Sequence, residues 1–382
     1  MKKILIYVLI CMLVSASIGM SVAGNVLPEQ VSYPLINGNI LYVGGSGPNN
    51  YTRIQDAVDN AIDGDTVFVY DDSSPYYENI VIEKSITVLG ENRDTTSILG
   101  DESADWSIVN ISSGDVSISG FTIQPNMGEP AGIVVSKDYT YPDYWNIVIL
   151  QNVSISNNII KNTAYGIFGI RLKYGNISNN IIEDCTGSGI NLFISSNTTI
   201  TKNFISHCSY RGIEIDGLWE PYRLMNYRNP VPENIIISQN TIQSNRWGIQ
   251  LNGGAVNTII TQNNINDNHG MFPGHDGIGI YIYQASKTQI TNNNLIDNSQ
   301  NAYFTAVLII RYPQFVLNTW DGNYWGKPSN IVRINGTFWL MPFPRLPVGI
   351  SFPNFDLTQW EVPWVAFDKH PSQEPYDIPR MT

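Results

Sequence analysis

One hexapeptide returns through the middle of this chain and limits what it can fold into. ISNNII begins at Ile155 and again at Ile177; ITKNFI follows at Ile200, ISQNTI at Ile237, ITQNNI at Ile260 and ITNNNL at Ile290. ISGFTI at Ile118 is a diverged earlier copy. The short steps set a period near 22 residues, and the longer ones carry insertions. After each copy comes a second motif: YGIFGI, SGINLF, RGIEID, WGIQLN and DGIGIY. A unit this short cannot bury its own apolar face and has to stack on its neighbours. Each holds about three short alternating strands broken by turns, which predicts an all-β fold: a single-stranded parallel β-helix, or solenoid. Its coils would lie ~4.8 Å apart, with Ile and Val in inward columns. A leucine-rich solenoid would need Leu at fixed offsets and a helical segment; here Ile fills those places.

The repeat also fixes one polar position. Asn158, Asn180, Asn203, Asn240, Asn263 and Asn293 each stand three residues after the aligned Ile. A short polar side chain tolerates the left-handed backbone of a sharp turn. Stacked amides also donate and accept along a column. These six read as a structural ladder. Cys185 and Cys208 both fall five residues after a ladder Asn, so they stack in neighbouring coils, either as a disulfide or as two packed thiols.

The ends differ from the middle. MKKILIYVLICMLVSASIGMSVAG reads as a secretory signal over residues 1–24, and no other stretch is apolar enough to span a membrane. Its loss leaves 19 basic and 33 acidic residues, a net charge of −14. That excess disfavours nucleic acid as a partner. Residues 25–84 read as a cap with the first strands. Within it, Thr52 and Gln55 suggest a capping box, Ile54, Ala57, Val58, Ala61 and Ile62 one helical face, and Gly64 a stop. The repeats occupy 85–325. Residues 326–382, rich in Pro and aromatics and including Trp339, Trp360 and Trp364, read as a lid over the last coil. An exposed strand edge would otherwise invite aggregation.

With these motifs in hand, the chain resembles the right-handed β-helices of the NosD-like and pectate-lyase-like superfamily. The resemblance rests on GDTVFVY…ENIVIEKSITVLGENRDTTSILG, on the coils, and on the tail VPWVAFDKHPSQEPYDI, which is similar to the ending of secreted archaeal surface proteins in that group. It covers about 40–378. The group includes lyases, hydrolases, epimerases, copper-site maturation proteins and surface proteins without known activity. The resemblance implies that the Gly-Ile strand and the turn before it form the binding face. One outward row would then be Asn191, Glu214 and Gln250; a second would be Phe193, Asp216, Asn252 and Tyr281. Tyr165, Arg211, Trp247 and Asp276 would come from the turns. Insertions at 217–233 and 267–276, with Trp219, Tyr222, Tyr227 and His275, would overhang the face.

Rings beside polar groups suit sugars, which have apolar faces and hydroxyl edges. The leading expectation is therefore a secreted or cell-surface protein that binds a polysaccharide or surface glycan. A second is a polysaccharide lyase or glycoside hydrolase using Glu214, Asp216 and Asp276. Glu214 and Asp216 alternate on one strand, which would place their carboxylates roughly 6–7 Å apart. The polygalacturonase, Arg-rich lyase and Asp-Pro-His-Glu epimerase signatures are absent from the coils, which weighs against catalysis. A third is a structural surface protein without ligand. No cofactor is required. The four His residues show no repeated metal-ligand spacing, and calcium held by Asp216, Asp276 and backbone oxygens is the cation these residues would allow. Oligomeric state is not written in the sequence.

Overall fold

A computed structural model describes residues 38–101, 106–137, 148–217, 231–270, 277–309, 318–341 and 360–379, all within one compact unit, Asn37–Thr382. That unit is a parallel β-helix with three sheets. One coil shows the pattern. Asn176–Ser178 lies on sheet 1, Ile181–Glu183 on sheet 2 and Ile190–Phe193 on sheet 3, before the chain returns to sheet 1 at Thr199–Thr201. Each strand pairs in parallel with its counterpart one coil away, as Ile177 does with Ile200, Ile182 with Ile205 and Ile190 with Ile213. These six isoleucines are fully buried. The inward column is therefore the core, built by period-two alternation on three short strands per coil.

The Gly-Ile motif has a steric cause. Gly132, Gly166, Gly189, Gly212 and Gly248 stand where the chain enters sheet 3 from sheet 2. A Cβ on Gly189 would lie 2.5 Å from Ile205 Cγ2 and 2.8 Å from Gly212 O. The turn packs so tightly on the inward Ile of sheet 2 that only hydrogen fits.

The ladder asparagines form one hydrogen-bonded column. From Asn180 onward each Oδ1 accepts from both the backbone N–H and the Nδ2 of the Asn one coil earlier, at 3.0 and 3.2 Å between Asn158 and Asn180 and 2.9 and 3.0 Å between Asn203 and Asn240; Asn158 Oδ1 accepts from Phe121 N. Each Nδ2 also donates to a sheet 1 carbonyl, as Asn203 does to Ile177 O at 2.9 Å. The left-handed residue, however, is the one before: Asn157, Asn179, Lys202, Gln239, Gln262 and Asn292 carry φ of 55–57°. The ladder position thus selects Asn for its amide, and the left-handed turn tolerates even Lys. The column runs on to Asn323 and ends on Asp368, fully buried, whose Oδ2 accepts from Asn323 N at 3.0 Å and Trp325 Nε1 at 3.0 Å. A carboxylate has acceptors and no donor, so it closes a donor-to-acceptor chain without leaving an orphan.

Five residues on, a second column comprises Thr163, Cys185, Cys208, Asn245, Asn268 and Asn298, with Cys208 N donating to Asn245 Oδ1 at 2.9 Å and Asn245 Nδ2 to Asn268 Oδ1 at 3.2 Å. Cys185 and Cys208 are two free, buried thiols in neighbouring coils rather than a disulfide. The hydrogen bond between them, together with burial, holds the Cys208 thiol above its ordinary range.

Among the described residues there is one short helix, Ile54–Asn60. Thr52 and Gln55 do not form the expected capping box: the N-cap is Arg53, without a side-chain bond. Instead Glu78, from the coil beneath, accepts from Ile54 N at 2.8 Å and Gln55 N at 3.0 Å. Negative charge there complements the helix N-terminus. Ile54, Ala57, Val58 and Ala61 are buried, but Ile62 is exposed, because the chain is already extended at Ala61. At the other end Trp360–Asp368 pairs antiparallel with Val332–Met341 of sheet 3 and meets sheet 1 at Trp320, joining the two sheets. Trp320 and Trp325 are buried there, while Trp364 stays exposed. Of Trp339 and Trp360 only the backbone is described. No helix among the described residues is long and apolar enough to cross a membrane.

Candidate functional site

Sheet 3 carries the large side chains on its outer face. Its strands Arg211–Asp216, Trp247–Leu251 and Ile278–Tyr283 place Phe168, Asn191, Glu214, Gln250, Tyr281 and Tyr303 in one outward row, one residue per coil. Tyr281 therefore belongs with Gln250, not with Phe193 and Asp216 as its spacing from the first Gly-Ile pair of DGIGIY suggests. The second pair, Gly279-Ile280, is the one in register.

Three members of this row are floor rather than surface. Asn191, Glu214 and Gln250 are only 6%, 5% and 4% exposed. Glu214 Oε2 accepts from Ser188 Oγ and Asn191 Nδ2, both at 2.9 Å, and Oε1 faces Arg211 Nη1 at 3.5 Å. Gln250 Oε1 accepts from Arg211 Nε. The carboxylate and the amide thus grip one guanidinium from below. Glu214 is thus not the open carboxylate expected from its outward position: it is covered, and its oxygens face Ser188, Asn191 and Arg211.

The surface lies above this floor. The Arg211 guanidinium sits 4.6 Å from the Tyr210 ring centre and 4.7 Å from that of Trp247. Arg246 lies over the same two rings at 5.5 and 5.8 Å. Trp247 meets Tyr281 edge-on at 5.6 Å, and Tyr281 continues to Tyr303 at 5.9 Å and Tyr283 at 6.0 Å. Cation–π contacts hold such a stack without a rigid bond network. Tyr210, Arg211, Arg246 and Trp247 line a cavity of about 120 Å³. A larger cleft of about 530 Å³ lies elsewhere, between 91–94 and Asn157 and Asn179, and it has no aromatic lining. Two buried polar atoms in the sheet 3 cluster have no hydrogen-bond partner, Asn191 Oδ1 and Trp247 Nε1. Most buried polar groups are paired, so orphans call for an explanation.

Asp216 stands two residues beyond Glu214 and is half-buried. Burial, followed by the charge of Glu214, raises its pKa to about 7, against the opposing bond from Gly217 N at 2.9 Å and the charge of Arg211. It therefore keeps its proton to a higher pH than an ordinary carboxylate. Trp219, Tyr222, Tyr227, His275 and Asp276 lie outside the described residues. Among the described residues no three His, Cys, Asp or Glu side chains gather as metal ligands. Sequence reasoning missed Tyr210 and Arg246, which precede the Gly-Ile motif in their turns; the recurrent position before that motif was the signal available.

A match to a family model supports the architecture. Residues 107–295 match the family model of the right handed beta helix region. No curated protein matches. Among solved structures, the A-module of mannuronan C-5 epimerase AlgE6 from Azotobacter vinelandii is 16% identical, over 66% of this chain and 74% of that one, with a TM-score of 0.48. DFA-IIIase from Arthrobacter chlorophenolicus A6 in complex with DFA-III is 12% identical, over 84% and 87%, with a TM-score of 0.44. Pectate lyase Pel9A is 12% identical, over 82% and 78%, with a TM-score of 0.41. At such values none of these activities carries over. The fold is therefore that of a right-handed parallel β-helix.

Proposed function

We propose that this is a secreted or cell-surface protein that binds a polysaccharide or surface glycan through the Tyr210–Arg211–Trp247–Tyr281 surface of sheet 3. The observation that carries the reading is Arg211, held between two rings and gripped from below by Glu214 and Gln250. A sugar presents an apolar face to rings and hydroxyl edges to guanidinium groups, and this cluster offers both side by side. The character of residues 1–24 supports the secreted part of this reading. The test is binding to a polysaccharide panel. The native chain retains at least one neutral or acidic glycan, and Trp247→Ala weakens that binding about tenfold while melting at a similar temperature. Failure of the native chain to bind any glycan ends this reading.

One observation favours a second reading, a glycan-cleaving enzyme. Asp216, with its pKa raised to about 7, is poised to donate a proton near neutrality. Release of reducing ends from the bound glycan, lost in Asp216→Asn with binding retained, would establish it. Binding without release leaves the protein a binder.

A further inference from the structure

A second group of rings stands on the same outer face, upstream of the polar floor. Trp106 meets Phe168 edge-on at 5.4 Å and 87°, and Tyr165 lies 5.4 Å from Phe168 at 36°. The core does not need them. The inward positions of these coils are filled by Ile133, Ile167 and Ile190, all fully buried. Trp106 remains 37% exposed, and Tyr165 and Phe168 are half-buried. Grouped rings on an outer face mark a contact surface more than scattered ones do.

Position ties this group to the site already described. Phe168 occupies the outward row of Asn191, Glu214, Gln250 and Tyr281. Phe168 and Tyr281 are four coils apart, about 19 Å at ~4.8 Å per coil. An extended chain of pyranose rings advances by roughly one coil spacing per ring. The row thus reads rings, three polar positions, rings. Above those buried positions stand the Arg211 and Arg246 guanidinium groups, which a lipid tail would have to cover. An added peptide strand would need an open sheet edge, which the paired coils here do not offer.

We infer that Trp106, Tyr165 and Phe168 form a second sugar platform, and that the ligand is an extended polysaccharide segment of at least about five rings lying along the solenoid axis. This rests on the carbohydrate reading of sheet 3 and specifies its ligand as a polymer rather than a mono- or disaccharide. The upstream rings take one end, the Trp247–Tyr281 stack takes the other, and the span between them sets the length.

The experiment titrates the full chain with size-graded oligosaccharides, two to eight rings, cut from the glycan that binds in the panel. Affinity is expected to climb up to about five rings and then level. Trp106→Ala is expected to lower affinity for a six-ring ligand about tenfold and leave a two-ring ligand unchanged, whereas Trp247→Ala weakens both. Tyr165→Ala repeats the test if the first variant melts early. Equal affinity for two and six rings, or six-ring binding untouched by both upstream variants, overturns the second platform while leaving the first. No binding of any glycan removes both.

Discussion

Sheets 1 and 3 are built from the same coils yet present opposite outer faces. On sheet 1, Ser119, Ser156, Ser178, Thr201, Ser238, Thr261 and Thr291 form an unbroken row of small hydroxyls. Neighbours bond to one another, Ser238 Oγ to Thr201 Oγ1 at 3.2 Å and Thr291 Oγ1 to Thr261 Oγ1 at 3.1 Å. The equivalent row on sheet 3 carries Phe, Asn, Glu, Gln and Tyr, with two arginines stacked on rings beside it. The turn from sheet 1 into sheet 2 keeps one length in these coils, while the insertions after Gly217 and before Gly277 follow or precede sheet 3 strands. The coil sets the inward side chains and leaves the outward ones free. On sheet 1 that freedom is used for a uniform row of small hydroxyls, two pairs of which bond to one another; on sheet 3 it gathers unlike groups.

The comparison is broken most severely at the scaffold both faces share. Asn240→Ala removes the acceptor of Asn203 N and Nδ2 and the donor to Ile200 O, leaving buried groups unpaired. A loss on the order of 5 kcal/mol is expected in urea unfolding, enough to test whether the ladder holds the stack.

The next effect belongs to sheet 3 alone. Asp216 holds its proton more tightly folded than unfolded, so folding is favoured at low pH. Stability should fall as pH rises from about 4 to about 7 and then level, by about 4 kcal/mol from this group. Asp216→Asn should remove that part of the slope in melts recorded across the range. An unchanged slope would place the group in ordinary solvent.

Smaller still are substitutions that separate the faces. Trp247→Ala should cost about tenfold in glycan affinity with little change in melting, since the ring lies on the surface rather than in the Ile column. Ser156→Ala on sheet 1 should alter stability by less than about 0.5 kcal/mol and leave glycan affinity unchanged. If the two variants weaken binding alike, the division of labour between the faces is wrong.

The fold was legible because one residue type recurs at one offset. Six asparagines and the inward isoleucines announce a coil before any contact is known. The second column was visible only in part, since Asn245, Asn268 and Asn298 share their offset with Thr163, Cys185 and Cys208, which differ in chemistry. Asp368 closes the ladder from 45 residues beyond Asn323, and Glu78 caps the helix from 24 beyond Ile54; no local pattern reveals such partners. At the site, alternation identified which residues of sheet 3 point outward. It did not reveal that Glu214 is covered, because an outward side chain is buried by its neighbours' side chains, and those come from other coils. Tyr281 was placed in the wrong row because DGIGIY contains two Gly-Ile pairs and only tertiary register chooses between them.

Hydrogen exchange of the full chain with and without a bound polysaccharide tests the central claim most directly. Protection should appear at 210–216, 246–251 and 281–283 on sheet 3, with the sheet 1 strands 154–156, 199–201 and 259–261 unchanged. Protection confined to sheet 1, or spread evenly over both sheets, would contradict the account.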